Sequence, residues 1–378
     1  MKVLSALDRL DVVVAALAAT SLVLPAVPTA MTAPVPEAVG LPAVPSLCLA
    51  AAALLRVRLA RDSGASALAG VIGLGLGAIG PLSWLGLGVS LGGNTPAVFL
   101  LLAALVLFAA SVMAGLADLA DRPGAPAALS LGAPFVFGAA LLYLWQVAVI
   151  GFGVPKVLLP APTAILAALV AQAPVLWGDF VQTVLKATLA GYIIGNGAGF
   201  LTALLVDRSP FLRRGLMPLG GFVSAVPIVG VAPILVMWFG FDWQSKAAVV
   251  VVMTFFPAFI NACVGLSQSS AIDRDLMRAY AATYAQDLRK LRLPNAAPFL
   301  FNALKLNAPL ALIGAIVAEF FGSPTAGLGF RISVEVARMN VDVVWAAIAV
   351  AAVTGSAIFG GLVLLERALT FWHPSIRR

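Results

Sequence analysis

Long apolar runs separated by short polar breaks set the rhythm of this chain. A helix needs about 20 apolar residues to cross the hydrocarbon of a bilayer. Runs of that kind occupy 12–30, 42–59, 67–91, 97–117, 131–150, 179–206, 217–239, 247–266, 296–321 and 341–365. The pattern predicts an all-α polytopic membrane protein with about ten transmembrane helices. Between the fourth and fifth runs, at 118–126, polarity, proline and glycine rise together, which marks a domain boundary. The expected organisation is an N-terminal membrane extension of about four helices over 1–125, followed by a six-helix core over 126–378. The stretch 151–178, with Pro155, Pro160, Pro162 and Pro174, is too broken for one span and reads as an external loop with a short amphipathic helix. A second external segment, rich in glycine, is expected at 322–340.

One polar interruption is much longer than the rest. Residues 267–294 read SQSSAIDRDLMRAYAATYAQDLRKLRLP. Leu276, Tyr280, Tyr284, Leu288 and Leu291 recur at steps of three or four and form one apolar stripe, with Arg274, Arg278, Arg289, Lys290 and Arg292 on the remaining surface. The spacing predicts an amphipathic helix over 270–294, outside the bilayer core. Ser270 with Asp273 supplies a capping-box start, and Pro294 with Asn295 a stop.

Composition agrees. The 378 residues are 62% hydrophobic and 10% charged, against about 25% charged in soluble domains. The net charge of +7 lies in short segments between apolar runs rather than in one patch. That distribution excludes nucleic-acid binding and fits positive-inside topology. Lys2 and Arg9 precede the first run, Arg56, Arg58 and Arg61 lie around the end of the second, and Arg208, Arg213 and Arg214 with Asp207 make a basic turn, whereas 31–41 and 92–96 carry no Lys or Arg. Both termini are therefore expected in the cytoplasm, the second with Glu366, Arg367, Arg377 and Arg378; Arg331 and Arg338 oppose the rule. The first run resembles a signal peptide, but Asp8 and Asp11 favour its retention as a membrane helix.

Cys48 and Cys263 read as small buried hydrophobes, and His373, the single histidine, as an interfacial ring. No Walker sequence and no metal-spaced cluster is present. Gly195, Gly197 and Gly199 read as small-residue helix packing. Polar groups within the spans, Lys186, Asn196, Asn261, Lys305, Asn307 and Glu319, are costly in hydrocarbon and either bridge helices or face an aqueous path. Lys186, Asn261 and Glu319 are the candidates for a translocation path, and Glu319 serves equally well as a helix-end or gate residue.

The charged island ends LRLPNAAPFLFNALKL. With Asp275, Ala279 and Ala281 before it, this stretch resembles the cytoplasmic coupling motif of membrane subunits of ATP-binding cassette importers, a Glu-Ala-Ala stretch, then Gly, then Leu-Pro. The resemblance extends through LLPAPTAIL, AVPIVGVAPILVMWFGF, ALIGAIVAEFFGSPTAGLGFRI and FWHPSIRR, roughly 131–378. It is strongest to the branch serving nitrate, sulfonate, taurine and pyrimidine-precursor uptake. Asp275-Leu276-Met277 stands in place of Glu-Ala-Ala, and Ala281 in place of the glycine. The resemblance implies a type I importer permease that performs no covalent chemistry and has no cofactor of its own, ATP and Mg belonging to the partner. It also implies three partners: an ABC ATPase dimer, a periplasmic or lipid-anchored substrate-binding protein, and a second permease copy in a homodimer. Asp275, Arg278, Ala279, Tyr280, Ala281, Tyr284, Leu288, Leu293 and Pro294 would carry coupling to the ATPase. The competing class is an ion-gradient-driven secondary transporter, which would need membrane-embedded carboxylates or an internal repeat.

Overall fold

The computed structural model describes residues 2–23, 43–58, 63–86, 96–224, 227–322 and 325–372. The loops at 31–41 and 92–95, Arg61 and His373 lie outside those residues. All regular structure among the described residues is helical, as a bilayer demands of any chain that must satisfy its own backbone polar groups. Among the described residues, six helices are long and apolar enough to cross a membrane: Val98–Ala120, Ala128–Gly151, Ala173–Arg208, Trp243–Ser267, Tyr284–Gly322 and Val341–Leu369. Shorter apolar helices include Leu10–Thr20, Ser46–Arg56, Ala65–Ile79 and Gly230–Phe239. The chain is an all-α polytopic membrane protein. It divides into two compact units, Met1–Ala164 and Ile165–Arg378.

The first unit holds α1 (Lys2–Val23), α2 (Ala43–Arg58), α3 (Ser63–Gly86), α4 (Pro96–Ala120) and α5 (Gly132–Gly151). Val14, Leu49, Leu101, Phe108 and Val112 are fully buried in its centre. Arg56 is not in a cytoplasmic loop, as its place in the charge pattern implied. It is buried, with its guanidinium donating to Asp11 and Ser111 and lying 5.5 Å from the centre of the Phe108 ring. Pairing with a carboxylate is what makes an arginine tolerable there. The turn at 121–126 leads directly into α5, which packs on α4 and whose Tyr143 hydroxyl donates to Ala78 O of α3 at 2.8 Å.

The second unit begins within α6 (Pro162–Ala171) and continues through α7 (Ala173–Phe180), a wide π-turn at Val181–Thr188 and α8 (Leu189–Arg208). The helix starts before Asp179 because Pro174 sits in its first turn, where a missing amide hydrogen costs nothing. The expected single span 217–239 is instead shared by α9 (Pro210–Ser224) and α10 (Ile228–Phe239), with Pro227 extended between them. Proline at the break removes a helical hydrogen bond. Next come α11 (Trp243–Ser267), the two short helices α12 (Ala271–Ala279) and α13 (Tyr284–Asp287), a π-turn at Leu288–Arg292, α14 (Leu293–Gly322), α15 (Leu328–Ala337) and α16 (Val341–Leu369).

α11 is the spine of this unit, packed against α8 on one side and α14 on another. Gly191, Gly195 and Gly199, at steps of four, bring α8 onto α11: a Cβ at any of them would collide with Val250, Thr254 or Ala258. Gly197 has open space instead and takes no part in this contact. Asn307 Nδ2 donates to Asn196 Oδ1 at 2.7 Å and Thr254 O at 2.8 Å, linking α14 to both neighbours, and Lys305 pairs with Glu366 at 2.7 Å.

Candidate functional site

The charged island folds as two helices, not the single helix that its periodicity predicted. Ser270 Oγ accepts from Asp273 N–H at 3.0 Å and starts α12. Nine residues later the helix ends in a Schellman turn: Ala281 N–H donates to Arg278 O at 2.9 Å and Ala282 N–H to Met277 O at 3.0 Å. Ala281 has φ +49°, in the left-handed region that glycine enters freely and that costs other residues roughly 1–2 kcal/mol. Thr283 then caps α13 in a full capping box, accepting from Gln286 N–H while its own N–H donates to Gln286 Oε1 at 2.8 Å. Two strong local signals, a C-terminal turn and a fresh N-cap, outweigh the continuity of the apolar stripe.

The stop expected at Pro294 does not occur. The chain is helical from Tyr284 to Gly322, with Pro294 the second residue of α14. The π-turn at Leu288–Arg292 lies just ahead of it, and its wider ring leaves room for a proline that would clash with the carbonyl four residues back in a regular α-helix.

The stripe splits accordingly. Leu276 and Tyr280 are exposed, at 55% and 80%, and so is Ile272 at 81%. At i, i+4 and i+8 these three form an apolar strip on one side of α12, a helix with no buried residue. Ile272 belongs to the strip although a stripe counted from Leu276 onward omits it; its spacing of four from Leu276 is the available signal. Asp275 and Arg278 make an exposed pair at 3.1 Å. Ala279 is exposed beside them, while Tyr284, Leu288, Leu293 and Pro294 are half-buried.

The second half is locked to the spans. Arg292 grips Asp207, at the end of α8, with both terminal nitrogens, Nη1 donating to Oδ2 at 2.7 Å and Nη2 to Oδ1 at 2.5 Å. Its Nε and Nη2 also donate to Leu266 O of α11, at 3.0 Å each. Tyr284 donates its hydroxyl to Asp207 Oδ2 at 2.8 Å, and the Arg208 guanidinium lies 4.4 Å from the centre of the Tyr284 ring. A bidentate arginine pair of this depth is strong because both partners are held and largely shielded from water. The structure therefore offers an exposed apolar helix, a left-handed joint at Ala281, and a clamp that fixes the start of α14 against α8 and α11.

The path candidates lie apart. Lys186 is exposed on the π-turn at Val181–Thr188. Asn261 donates to Pro257 O within α11 at 2.8 Å and accepts from Asn302 Nδ2 at 3.3 Å. Glu319, 2% exposed, accepts from Thr183 Oγ1 at 2.7 Å and from Gly329 N–H at 2.6 Å. Thr183 in turn accepts from Leu328 N–H, and Asp179 from Gly327 N–H and Arg331 Nε, each at 2.7–2.8 Å. Three buried side chains thus hold the first turn of α15. Arg331 also lies 3.7 Å from Glu335, which pairs with Arg338 at 3.1 Å, so the two cations that oppose the positive-inside pattern are neutralised locally. The hydrogen bond to Asp179 keeps the Arg331 guanidinium charged beyond its ordinary range. Nearby, Lys246 donates to Phe241 O and Gly322 O, tying α11 to the end of α14.

Residues 195–371 match the family of binding-protein-dependent transport system inner membrane components. A probable ABC transporter permease protein of Haemophilus influenzae is 32% identical over 215 residues, covering 57% of this chain and 87% of the relative. The chain belongs to this family. The formylaminopyrimidine transport permease protein ThiX of Halalkalibacterium halodurans is 29% identical over 64% of the chain and 95% of its own length. A putative aliphatic sulfonates transport permease protein SsuC of Bacillus subtilis is 30% identical over 63% and 86%. This permease is accordingly a membrane-spanning transport subunit of an ATP-binding cassette importer, not an enzyme and not a gradient-driven carrier. A binding protein and a separate ATPase are its partners.

Proposed function

We propose that the permease couples to its ATPase through α12, with Ile272, Leu276 and Tyr280 filling a groove of the partner and Asp275, Arg278, Ala279 and Ala281 around them. One observation carries this reading: α12 exposes an apolar strip that nothing among the described residues covers, next to a segment clamped into the membrane core. An apolar anchor flanked by charges is the usual form of a high-affinity contact. Motion of the ATPases, which hold the ATP and Mg, passes through Ala281 to Tyr284, Leu288, Leu293 and Pro294, and from there as a rigid movement into α14.

The solute is a small organic or nitrogen- or sulfur-containing one, in keeping with relatives named for formylaminopyrimidine, aliphatic sulfonates and taurine. It is delivered by a periplasmic or lipid-anchored binding protein to a path between two copies of this permease, in the bacterial inner membrane with both chain ends in the cytoplasm. Lys186 and Asn261 are path residues. Glu319 acts at the mouth by holding α15 rather than by touching solute, since both its oxygens are occupied. The permease core begins near 126, and the translocation path belongs to that core. Uptake of each solute class into vesicles holding the permease, ATPase and binding protein tests the reading. ATP-dependent uptake that requires all three supports it, and uptake driven by an ion gradient alone contradicts it.

A further inference from the structure

The end of the second unit that carries α12 contains a polar cavity of about 270 Å³, several times the roughly 30 Å³ that a liquid water occupies. Its walls come from the ends of α8 and α11, from α9 and α12, and from the residues that lead into α14. Four arginines face it, Arg213, Arg274, Arg278 and Arg292, against two aspartates, Asp207 and Asp287. The charges cancel only in part. Asp207 is spent on Arg292, and Arg278 turns to Asp275 at the surface. Arg213 of α9 and Arg274 of α12, both exposed, make no ion pair or side-chain hydrogen bond with a described residue, although the charge of Arg213 acts on Asp207, so two cations from separate elements border one space that is open to solvent on one side. Like charges gathered in this way repel unless an anion lies between them. Asp287 adds a second requirement. Its Oδ1 is buried and has no hydrogen-bond partner among the described residues, a state that native proteins rarely tolerate without an occupant.

We propose that this cavity binds a phosphate-class oxyanion that also carries a hydroxyl. The oxyanion accepts from Arg213 and Arg274, as arginine forks do for phosphate, and the hydroxyl donates to Asp287 Oδ1. Two sources have this chemistry: free hydrogen phosphate, and the glycerol-phosphate headgroup of an anionic lipid, which basic pockets between membrane helices can hold on the cytoplasmic side. Sulfate has the charge without the hydroxyl. The cavity shares α12 with the proposed ATPase contact, but Arg213, Arg274 and Asp287 are not among the residues assigned to docking, so the two readings fail separately.

Cys263 lines the cavity and makes occupancy readable. In full-length protein carrying Cys48→Ser, the rate of Cys263 modification by a small maleimide is measured in phosphatidylcholine nanodiscs with added phosphate, sulfate or chloride at equal ionic strength. The same rate is measured in nanodiscs containing phosphatidylglycerol without added anion. Melting temperature is followed in parallel, so a thiol that proves unreactive still leaves a readout. At ten times Kd, phosphate slows labelling about tenfold and raises the melting temperature; sulfate does less and chloride nothing. Arg213→Gln with Arg274→Gln removes the effect, Asp287→Asn removes the preference for phosphate over sulfate, and Arg289→Gln, outside the cavity, changes neither. Protection by phosphatidylglycerol alone identifies the lipid source, and protection by free phosphate alone the soluble one. If neither phosphate nor phosphatidylglycerol changes labelling or melting, or if the double arginine variant responds as the parent does, the site does not exist.

Discussion

Ala281 holds a backbone conformation that its own side chain disfavours. Related importers carry glycine at this place in the motif, and the Schellman turn supplies the reason, since the residue after a helix cap must turn left-handed. Ala281→Gly should therefore stabilise the joint by about 1 kcal/mol and reduce its open population some fivefold. Ala281→Val, with a branched Cβ, should do the opposite. The rate of limited proteolysis at 279–283 in membranes checks both, and a glycine variant that is cut faster than the parent would contradict the strained turn. The Arg292 and Asp207 pair makes a second test. Removing either partner leaves a mostly shielded charge uncompensated, a loss of about 3–5 kcal/mol, whereas an apolar replacement of both costs much less. Melting temperatures of Arg292→Met, Asp207→Leu and the double variant decide it; additive losses would mean that the pair is no clamp.

At the scale of elements, the sequence is most legible where hydrophobic length decides the outcome. The runs at 42–59, 97–117, 131–150 and 247–266 correspond closely to α2, α4, α5 and α11. It is least legible where short-range hydrogen bonding competes with periodicity. The stripe from Leu276 to Leu291 has helical spacing throughout, yet the cap at Thr283 and the turn at Ala281 divide it. Pro294 has the local signature of a terminator, yet the π-turn ahead of it lets the helix continue. The clamp is illegible for a different reason: Asp207 and Arg292 are 85 residues apart, and each has a sufficient explanation as a surface charge. Glu319 is marked by its cost in the membrane, but Asp179 and Thr183, its companions at α15, carry no signal until the chain folds. That clasp depends on Gly329, where a Cβ would strike Ile316 O and crowd Glu319. Gly329→Ala should detach α15 and increase protease cleavage at 323–340, while an unchanged pattern would show that α15 is held by other contacts.

Across the whole molecule, the open question is what the extension contributes. Sequence composition puts its edge near 125, whereas packing joins α5 to the four helices before it. If the core is autonomous, deletion through Arg122 leaves a chain that inserts and copurifies with its ATPase; insertion without copurification would make the extension part of the machine. Docking through α12 is the central claim, and α12 suits a clean test because it has no buried residue to disturb. The decisive measurement is ATPase affinity, by copurification and titration, for Ile272→Ser with Leu276→Ser against Arg289→Ala in well-inserted protein. Truncated apolar anchors typically cost more than about 1 kcal/mol each, so the double variant should bind at least about tenfold more weakly, while Arg289→Ala stays close to the parent. Full affinity in the double variant, with loss in Arg289→Ala, would place the contact on the charged face of the segment and contradict docking through the apolar strip of α12.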